Sequence, residues 1–101
     1  MGELIRIAGT TDVTPGSGMV VEVNEKAIAV FNLDGTFYAI DNTCLHRGGP
    51  LGEGDVEGDV VTCPWHGWQY NVKTGGCVNN PSAKVTSYEV SIEGTDIKVR
   101  L

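Results

Sequence analysis

Two short stretches, Cys44-Leu45-His46 and Cys63-Pro64-Trp65-His66, dominate the interpretation of this chain, because each offers one thiol and one imidazole. Together they contain both histidines and two of the three cysteines of the 101-residue sequence. Thiolate and imidazole are ligands that transition metals prefer. One stretch alone is a poor site, but two stretches acting together predict a metal centre.

Length and composition predict a single domain spanning residues 1–101. A hydrophobic content of 41% with 20% charged residues is typical of a soluble globular protein rather than a disordered one. The 14 glycines are roughly twice the usual share, which favours a loop-rich β fold.

The ends and the charge of the chain bear on its location and partners. Residues 1–6 lack the basic and apolar regions of a signal peptide, and no apolar stretch approaches the ~20 residues that span a bilayer. We therefore expect a cytoplasmic protein without a membrane partner. A net charge of −6 argues against nucleic acid, which needs basic residues. The acidity suits docking onto a positively charged protein, or it serves solubility alone.

Alternating apolar and polar residues predict an all-β fold, since no segment shows a sustained helical period. The turn signals are Asn24-Glu25-Lys26 and Asp34-Gly35. Short strands between glycine-rich turns indicate a small antiparallel β-sandwich or barrel. The predicted strands are 4–8, 19–23, 27–33, 36–40, 60–62, 68–72, 87–92 and 97–101.

Both Cys–His stretches fall in predicted loops, at about 42–52 and 63–67. Glycines crowd these loops, and glycine permits close approach of the backbone to a bound group. Amide N–H groups in such loops can point at sulfur atoms.

Three interpretations of the two pairs compete. Two cysteines and two histidines are the ligands of a 2Fe–2S centre in which histidines replace cysteines on one iron. Such a site is neutral when oxidised, whereas an all-cysteine cluster is a dianion, so it is easier to reduce. A zinc site uses the same residue types but usually pairs like ligands. Incidental cysteines and histidines would require four coincidences at matched spacing.

Cys44-x-His46 and Cys63-x-x-His66 resemble the Rieske iron–sulfur family, and the resemblance extends over nearly the whole chain. It implies one 2Fe–2S cluster, with Cys44 and Cys63 on one iron and His46 and His66 on the other through Nδ1. It also implies the Rieske fold, in which small antiparallel sheets carry a cluster-binding subdomain of two ligand loops. A third loop covers the cluster in that fold, and residues 79–82 match it.

The resemblance also indicates a subclass. Quinol-oxidising relatives join the ligand loops by a disulfide, but Gly49 and Trp65 occupy the matching positions here. Their serine that hydrogen-bonds a cluster sulfide is replaced by Trp68. Fewer hydrogen bonds to the cluster predict a low potential. Tyr70 matches the tyrosine of high-potential members and could donate to a ligand sulfur, which argues against the lowest values.

The function implied is that of a low-potential Rieske ferredoxin. It would carry one electron from a flavin-dependent reductase to a terminal oxygenase. Residues 44–48 and 66–70 look like Rieske domains of oxygenase large subunits, but the sequence has no third histidine for a catalytic iron. We therefore expect an electron carrier and not an enzyme. The alternatives are a small subunit of an assimilatory nitrite reductase-type complex and a zinc-stabilised binding module.

Several other residues are open to interpretation. We expect Cys77 to be a plain buried thiol. Trp65 either shields the cluster, contacts a partner or only packs. The alternating acids 53, 55, 57 and 59 would form one acidic face if strand-like, either a solvated edge or a docking patch. Arg47 could contact a partner or a carboxylate.

Overall fold

Ten β-strands and one 3-10 turn make up the regular structure of the computed structural model, which describes residues 3–43, 49–65, 67–80 and 82–100. The 3-10 turn is Leu51–Glu53. None of the helical segments in these ranges is long and apolar enough to cross a membrane. The strands are β1 Leu4–Gly9, β2 Ser17–Val23, β3 Lys26–Leu33, β4 Thr36–Asp41, β5 Asp55–Glu57, β6 Val60–Thr62, β7 Gln69–Asn71, β8 Ser87–Tyr88, β9 Val90–Glu93 and β10 Asp96–Arg100.

The strands form three antiparallel sheets, which confirms the predicted all-β class. The first sheet has the order β1-β10-β9, the second β2-β3-β4-β8 and the third β5-β6-β7. The third sheet matters most for the site, because the loop from 63 to 68 joins β6 to β7. The other predicted ligand loop follows β4 of the second sheet.

Strand β3 lies at the centre of the structure and contributes to two hydrophobic cores. Ile28 and Val30 pack with Ile97 and Val99 of the first sheet. Ala29 and Phe31 pack in the other core, which contains residues of the third sheet. Successive side chains of a strand point to opposite faces. The second sheet is therefore packed on both faces, and the third sheet is anchored to one of them.

The predicted strand 87–92 is wrong as a single element. It divides at Glu89, so that β8 pairs with β4 and β9 pairs with β10. The chain passes from the second sheet to the first at this residue, whose carbonyl accepts a hydrogen bond from the Arg100 N–H at 3.0 Å. Apolar and polar residues continue to alternate where the chain changes sheets, so the sequence pattern did not reveal the break at Glu89. The strand predicted at 68–72 is also shorter, Gln69–Asn71.

The acidic segment is only partly strand. Asp55 and Glu57 lie exposed on β5, which ends the strand order of the third sheet. Glu53 belongs to the 3-10 turn. Asp59 lies in the turn to β6, and its Oδ2 accepts a hydrogen bond from Asn71 Nδ2 at 3.3 Å. The condition for one acidic face, a single strand through all four acids, is therefore not met, but Asp55 and Glu57 do lie on a solvated edge strand.

Two tight hairpin turns flank β3. Val23 pairs with Lys26, so the first turn contains only Asn24 and Glu25, with φ of 50° and 65°. This is one residue shorter than predicted. The second turn contains Asp34 and Gly35, with φ of 54° and 94°. Positive φ at both central residues is the type I′ pattern, which matches the twist of the flanking strands.

Glu25 is a side-chain-bearing residue held in the left-handed region, so Glu25→Gly should stabilise the protein. Relief of that strain, partly offset by greater freedom of the unfolded chain, predicts a gain of about 0.5–1 kcal/mol in the free energy of unfolding. Urea denaturation measures it. Gly35→Ala at the equivalent turn position is the control and should destabilise. A loss of stability in Glu25→Gly would contradict the turn geometry.

Candidate metal centre

Of the four predicted ligands, Cys63 is the one that the structure describes. Cys44, His46 and His66 lie outside the described residues, as does Arg47. Within the described ranges, no three His, Cys, Asp or Glu side chains are grouped so as to hold a metal ion. The candidate site is therefore built here from Cys63 and from the segments that position the two ligand loops.

The second ligand loop is a tight turn between β6 and β7. The N–H of Cys63 donates to the carbonyl of Trp68 at 2.7 Å, and the N–H of Gly67 donates to the carbonyl of Cys63 at 3.1 Å. Gly67 has φ of 78°, a left-handed conformation that favours glycine. These bonds close the turn on itself and leave Trp65 exposed near its tip.

Cys63 is buried at the base of this turn. It is 2% exposed and takes no part in a disulfide. It belongs to the same hydrophobic core as Tyr70 and Cys77. A buried thiol at the end of a strand and outside any disulfide is a soft donor in a fixed place, which suits a metal cluster.

The base of the first ligand loop is held together by Asn42, which is buried. Its side-chain Oδ1 accepts a hydrogen bond from the N–H of Gly52 at 2.7 Å. Its carbonyl accepts another from the N–H of Leu51, also at 2.7 Å. Thr43 and Pro50 form an isolated antiparallel bridge beside these bonds. The two ends of the loop are therefore fixed next to each other on the second sheet.

Gly49 brings the first loop into contact with the second. A Cβ atom at this position would lie 2.7 Å from Cys63 Sγ and 3.0 Å from Trp65 Cγ. The backbone of the first loop therefore approaches the predicted ligand sulfur more closely than a residue with a side chain could. In the described residues, the two predicted loops therefore meet at Gly49, Cys63 and Trp65.

The segment that matches the third loop lies beside the second ligand loop. The N–H of Val78 donates to the carbonyl of Gln69 at 2.7 Å, and Asn79 Oδ1 accepts from the N–H of Gln69 at 2.6 Å. Asn80 Oδ1 accepts from the Ser82 hydroxyl at 2.8 Å, while Pro81 lies outside the described residues. This segment thus extends the third sheet just where the second ligand loop returns to it.

Three residues singled out from the sequence are found in or against the core. Tyr70 is fully buried, and Trp68 packs partly buried against the same core, as predicted for at least one of them. Cys77 is 4% exposed and free of disulfide, which confirms the buried thiol. Its N–H donates to the carbonyl of Ala83 at 3.0 Å.

Charge is distributed unevenly between the sheets. Side-chain hydrogen bonds to acids raise the pKa of Arg6 and of Lys98. Exposed pairs of this kind stabilise a fold little, but they neutralise the surface of the first sheet locally. The acids of β5 belong instead to the sheet that carries Cys63. The ion pairs are Arg6–Asp96, Lys98–Glu93 and Arg100–Glu89.

A surface crevice of about 410 Å³ lies at the other end of the third sheet. Gly58 and Asp59, which line it, precede β6, whereas Cys63 follows that strand. Lys73 Nζ lies 5.8 Å from the centre of the Tyr38 ring in the same crevice. The crevice is therefore separate from the candidate metal centre.

Comparison with known proteins identifies a family. A family model described as the Rieske [2Fe-2S] domain matches residues 3–89. The ferredoxin component of the naphthalene 1,2-dioxygenase/salicylate 5-hydroxylase systems of a Ralstonia species is 33% identical, over 89% of this chain and 88% of its own length. The 3-phenylpropionate/cinnamic acid dioxygenase ferredoxin subunit of Escherichia coli (strain K12) is 37% identical, over 89% of this chain and 86% of its own length.

A solved structure extends the likeness. The chain superposes with a TM-score of 0.86, at 31% identity, on a protein in the complex of reduced oxygenase and oxidised ferredoxin of carbazole 1,9a-dioxygenase. The match covers 96% of this chain and 92% of that one. The family model implies one 2Fe–2S cluster, which removes the zinc alternative. The buried, disulfide-free Cys63 and the close approach of the Gly49 backbone to its sulfur fit such a group.

Cys63 and Cys77 allow a matched test of the site, because both are buried thiols of the same core. Cys63→Ala should abolish the visible absorbance and the bound iron. Cys77→Ala should keep both and lose about 1 kcal/mol of stability from the small cavity it leaves. Iron content and absorbance of the two purified variants decide the outcome. Full iron binding in Cys63→Ala would contradict the assignment.

Proposed function

Because this chain belongs to the Rieske [2Fe-2S] family, we propose that it is a stand-alone ferredoxin that passes one electron at a time from a flavin-dependent reductase to a terminal oxygenase. The ferredoxin components among its relatives, matched over most of their length, carry this proposal. Those relatives are electron carriers within multicomponent dioxygenases, and this chain is likewise a carrier and not a catalyst.

The proposed ligands are Cys44 and Cys63 on one iron and His46 and His66 on the other, in one domain spanning residues 1–101. The burial of Cys63 and the close approach of Gly49 support the part of this set that the structure describes. When bound, the cluster takes up and releases a single electron. The chain supplies fixed loops that hold the ligands, and it needs no substrate cavity for this task.

The proposed partners meet the ferredoxin briefly. Redox partners of this kind bury small interfaces, typically less than ~1,200 Å², and exchange quickly. The carbazole dioxygenase complex, which joins an oxygenase to a ferredoxin, supports the oxygenase as one partner. The reductase is inferred from the need for an electron source, and we place the system in the cytoplasm. The relatives favour this role over that of a nitrite reductase subunit.

Electron delivery tests the function directly. The chemically reduced protein is mixed anaerobically in a stopped-flow instrument with the oxidised terminal oxygenase of its own organism, and absorbance follows both centres. We expect reoxidation of the ferredoxin, with a rate that saturates with oxygenase concentration. Catalytic amounts of the ferredoxin should also couple a flavin reductase to product formation. A reduced protein that transfers no electron to that oxygenase would contradict the proposal.

The proposed potential is low, because Trp68 stands where a serine donates to the cluster in high-potential relatives. Protein-film voltammetry should give a midpoint near −150 mV, at the lower end of the family range. Tyr70 is fully buried, and a buried hydroxyl almost always has a hydrogen-bond partner. If that partner is a ligand sulfur, Tyr70→Phe should lower the midpoint by about 20–60 mV.

Tyr38→Phe is the matched control for Tyr70→Phe, since Tyr38 lines the separate crevice. It should leave the midpoint unchanged. A wild-type midpoint well above zero would contradict the low-potential assignment. An equal midpoint in Tyr70→Phe and the wild type would remove the tyrosine from the site.

A further inference from the structure

Position 49 requires a glycine because neighbouring side chains leave no room for a Cβ atom, and not because its backbone conformation excludes other residues. It is buried, and its φ lies outside the left-handed region in which Gly67 and five other described glycines are found. A Cβ atom at position 49 would meet Cys63 Sγ at 2.7 Å, Trp65 Cγ at 3.0 Å and Trp65 Cδ2 at 3.2 Å. Contacts below 3.0 Å are essentially never made by real Cβ atoms. The sulfur and the indole together fill the space of the missing side chain.

Trp65 is placed to make this contact by the turn that carries it. Two hydrogen bonds join Cys63, which precedes Trp65, to Gly67 and Trp68, which follow it. The residue is 57% exposed, so its remaining surface is covered although it lies near the tip of a loop. The indole atoms nearest the backbone lie against Gly49, in the other ligand loop. An exposed tryptophan in such a position covers the neighbouring backbone from water.

We infer that Gly49 and Trp65 form a non-covalent clasp between the two ligand loops, which holds Cys63 Sγ in place and keeps water from it. The inference rests on the proposed role of Cys63 as a cluster ligand. Gly49 contributes by having no side chain, and Trp65 contributes by covering the place where one would be. Trp65 is thus a positioning residue for the cluster rather than a ligand.

The clasp has two physical consequences. Without the indole, the loops would separate more easily, and the cluster would be lost faster. Water would also reach the ligand sulfur. Reduction adds a negative charge to a site that is neutral when oxidised, and water stabilises the charged form. Loss of the indole should therefore raise the midpoint potential as well as the rate of cluster loss.

The first test compares Trp65→Ala with Trp65→Phe in the cluster-loaded protein. Bleaching of the visible absorbance in excess chelator measures the rate of cluster loss. We expect about a tenfold faster loss in Trp65→Ala, the rate equivalent of about 1.4 kcal/mol, and a rate close to wild type in Trp65→Phe. The midpoint of Trp65→Ala should shift upwards. Ile92→Ala, which removes an exposed apolar side chain from β9 of the first sheet, is the control and should change neither quantity.

The second test is Gly49→Ala, alone and combined with Trp65→Ala. The added methyl group must displace the indole, the sulfur or both, so cluster loss should be at least as fast as in Trp65→Ala. Trp65→Ala removes the contact with the indole but leaves the 2.7 Å approach to Cys63 Sγ. The double variant should therefore remain as defective as Gly49→Ala, with altered EPR g-values that report a displaced ligand.

The clasp is overturned if Trp65→Ala and Ile92→Ala bleach at the same rate. It is also overturned if Gly49→Ala has the iron content, EPR spectrum and bleaching rate of the wild type. Failure of the ligand assignment looks different, because Cys63→Ala would then keep its cluster whatever the Trp65 variants do. Far-UV circular dichroism and thermal melting of the cluster-free proteins complete the test. A clasp acts on the cluster, so Trp65→Ala should change the bleaching rate and the midpoint while its cluster-free form melts together with the cluster-free wild type. The clasp is also overturned if Trp65→Ala changes the melting temperature of the cluster-free protein but neither the bleaching rate nor the midpoint.

Discussion

The close approach of Gly49 to the Cys63 sulfur is the constraint on which the arrangement of the site depends. The two loops leave different sheets, yet they approach so closely at Gly49 that no side chain would fit between them. Each loop is closed at its base before it reaches the contact, the first by hydrogen bonds to Asn42 and the second by the bond from Cys63 to Trp68. Because each loop is already closed at its base, less conformational entropy is lost when a group binds between the loops.

The scaffold explains why these bases stay fixed. Strand β3 is buried from Ile28 to Phe31, with alternate side chains in two cores, so the second sheet cannot move independently of its neighbours. Leu51, near the end of the first ligand loop, and Tyr70, just beyond the second, are both fully buried in the same core. The two loops are therefore anchored to one packed interior. Because close-packed interiors are hardly compressible, the loops can move little relative to each other.

Much of this could be predicted from the sequence, and the failures have identifiable causes. Alternation gave most strands to within a residue or two, because one face of each is buried and the other is polar. It did not reveal the division at Glu89, since a strand that changes sheets keeps alternating. The buried thiol of Cys77 followed from the absence of a partner cysteine. The contact of Gly49 with Cys63 joins two loops that leave different sheets. The spacing of residues along the chain does not predict the distance between such loops in space.

Of the four ligands, the structure describes Cys63, so the complete ligand set remains a prediction carried by spacing and resemblance. The described part nevertheless indicates how a carrier differs from an enzyme. Cys63 is 2% exposed while Trp65, two residues later, is 57% exposed. A partner that approaches Trp65 meets the outer surface of the indole, while the Cys63 sulfur beside it stays buried. The same side chain that excludes water on its inner side thus offers an apolar surface on its outer side. An electron carrier binds no substrate and exchanges electrons with its partners through surface contact. A buried ligand beneath an exposed side chain suits this task.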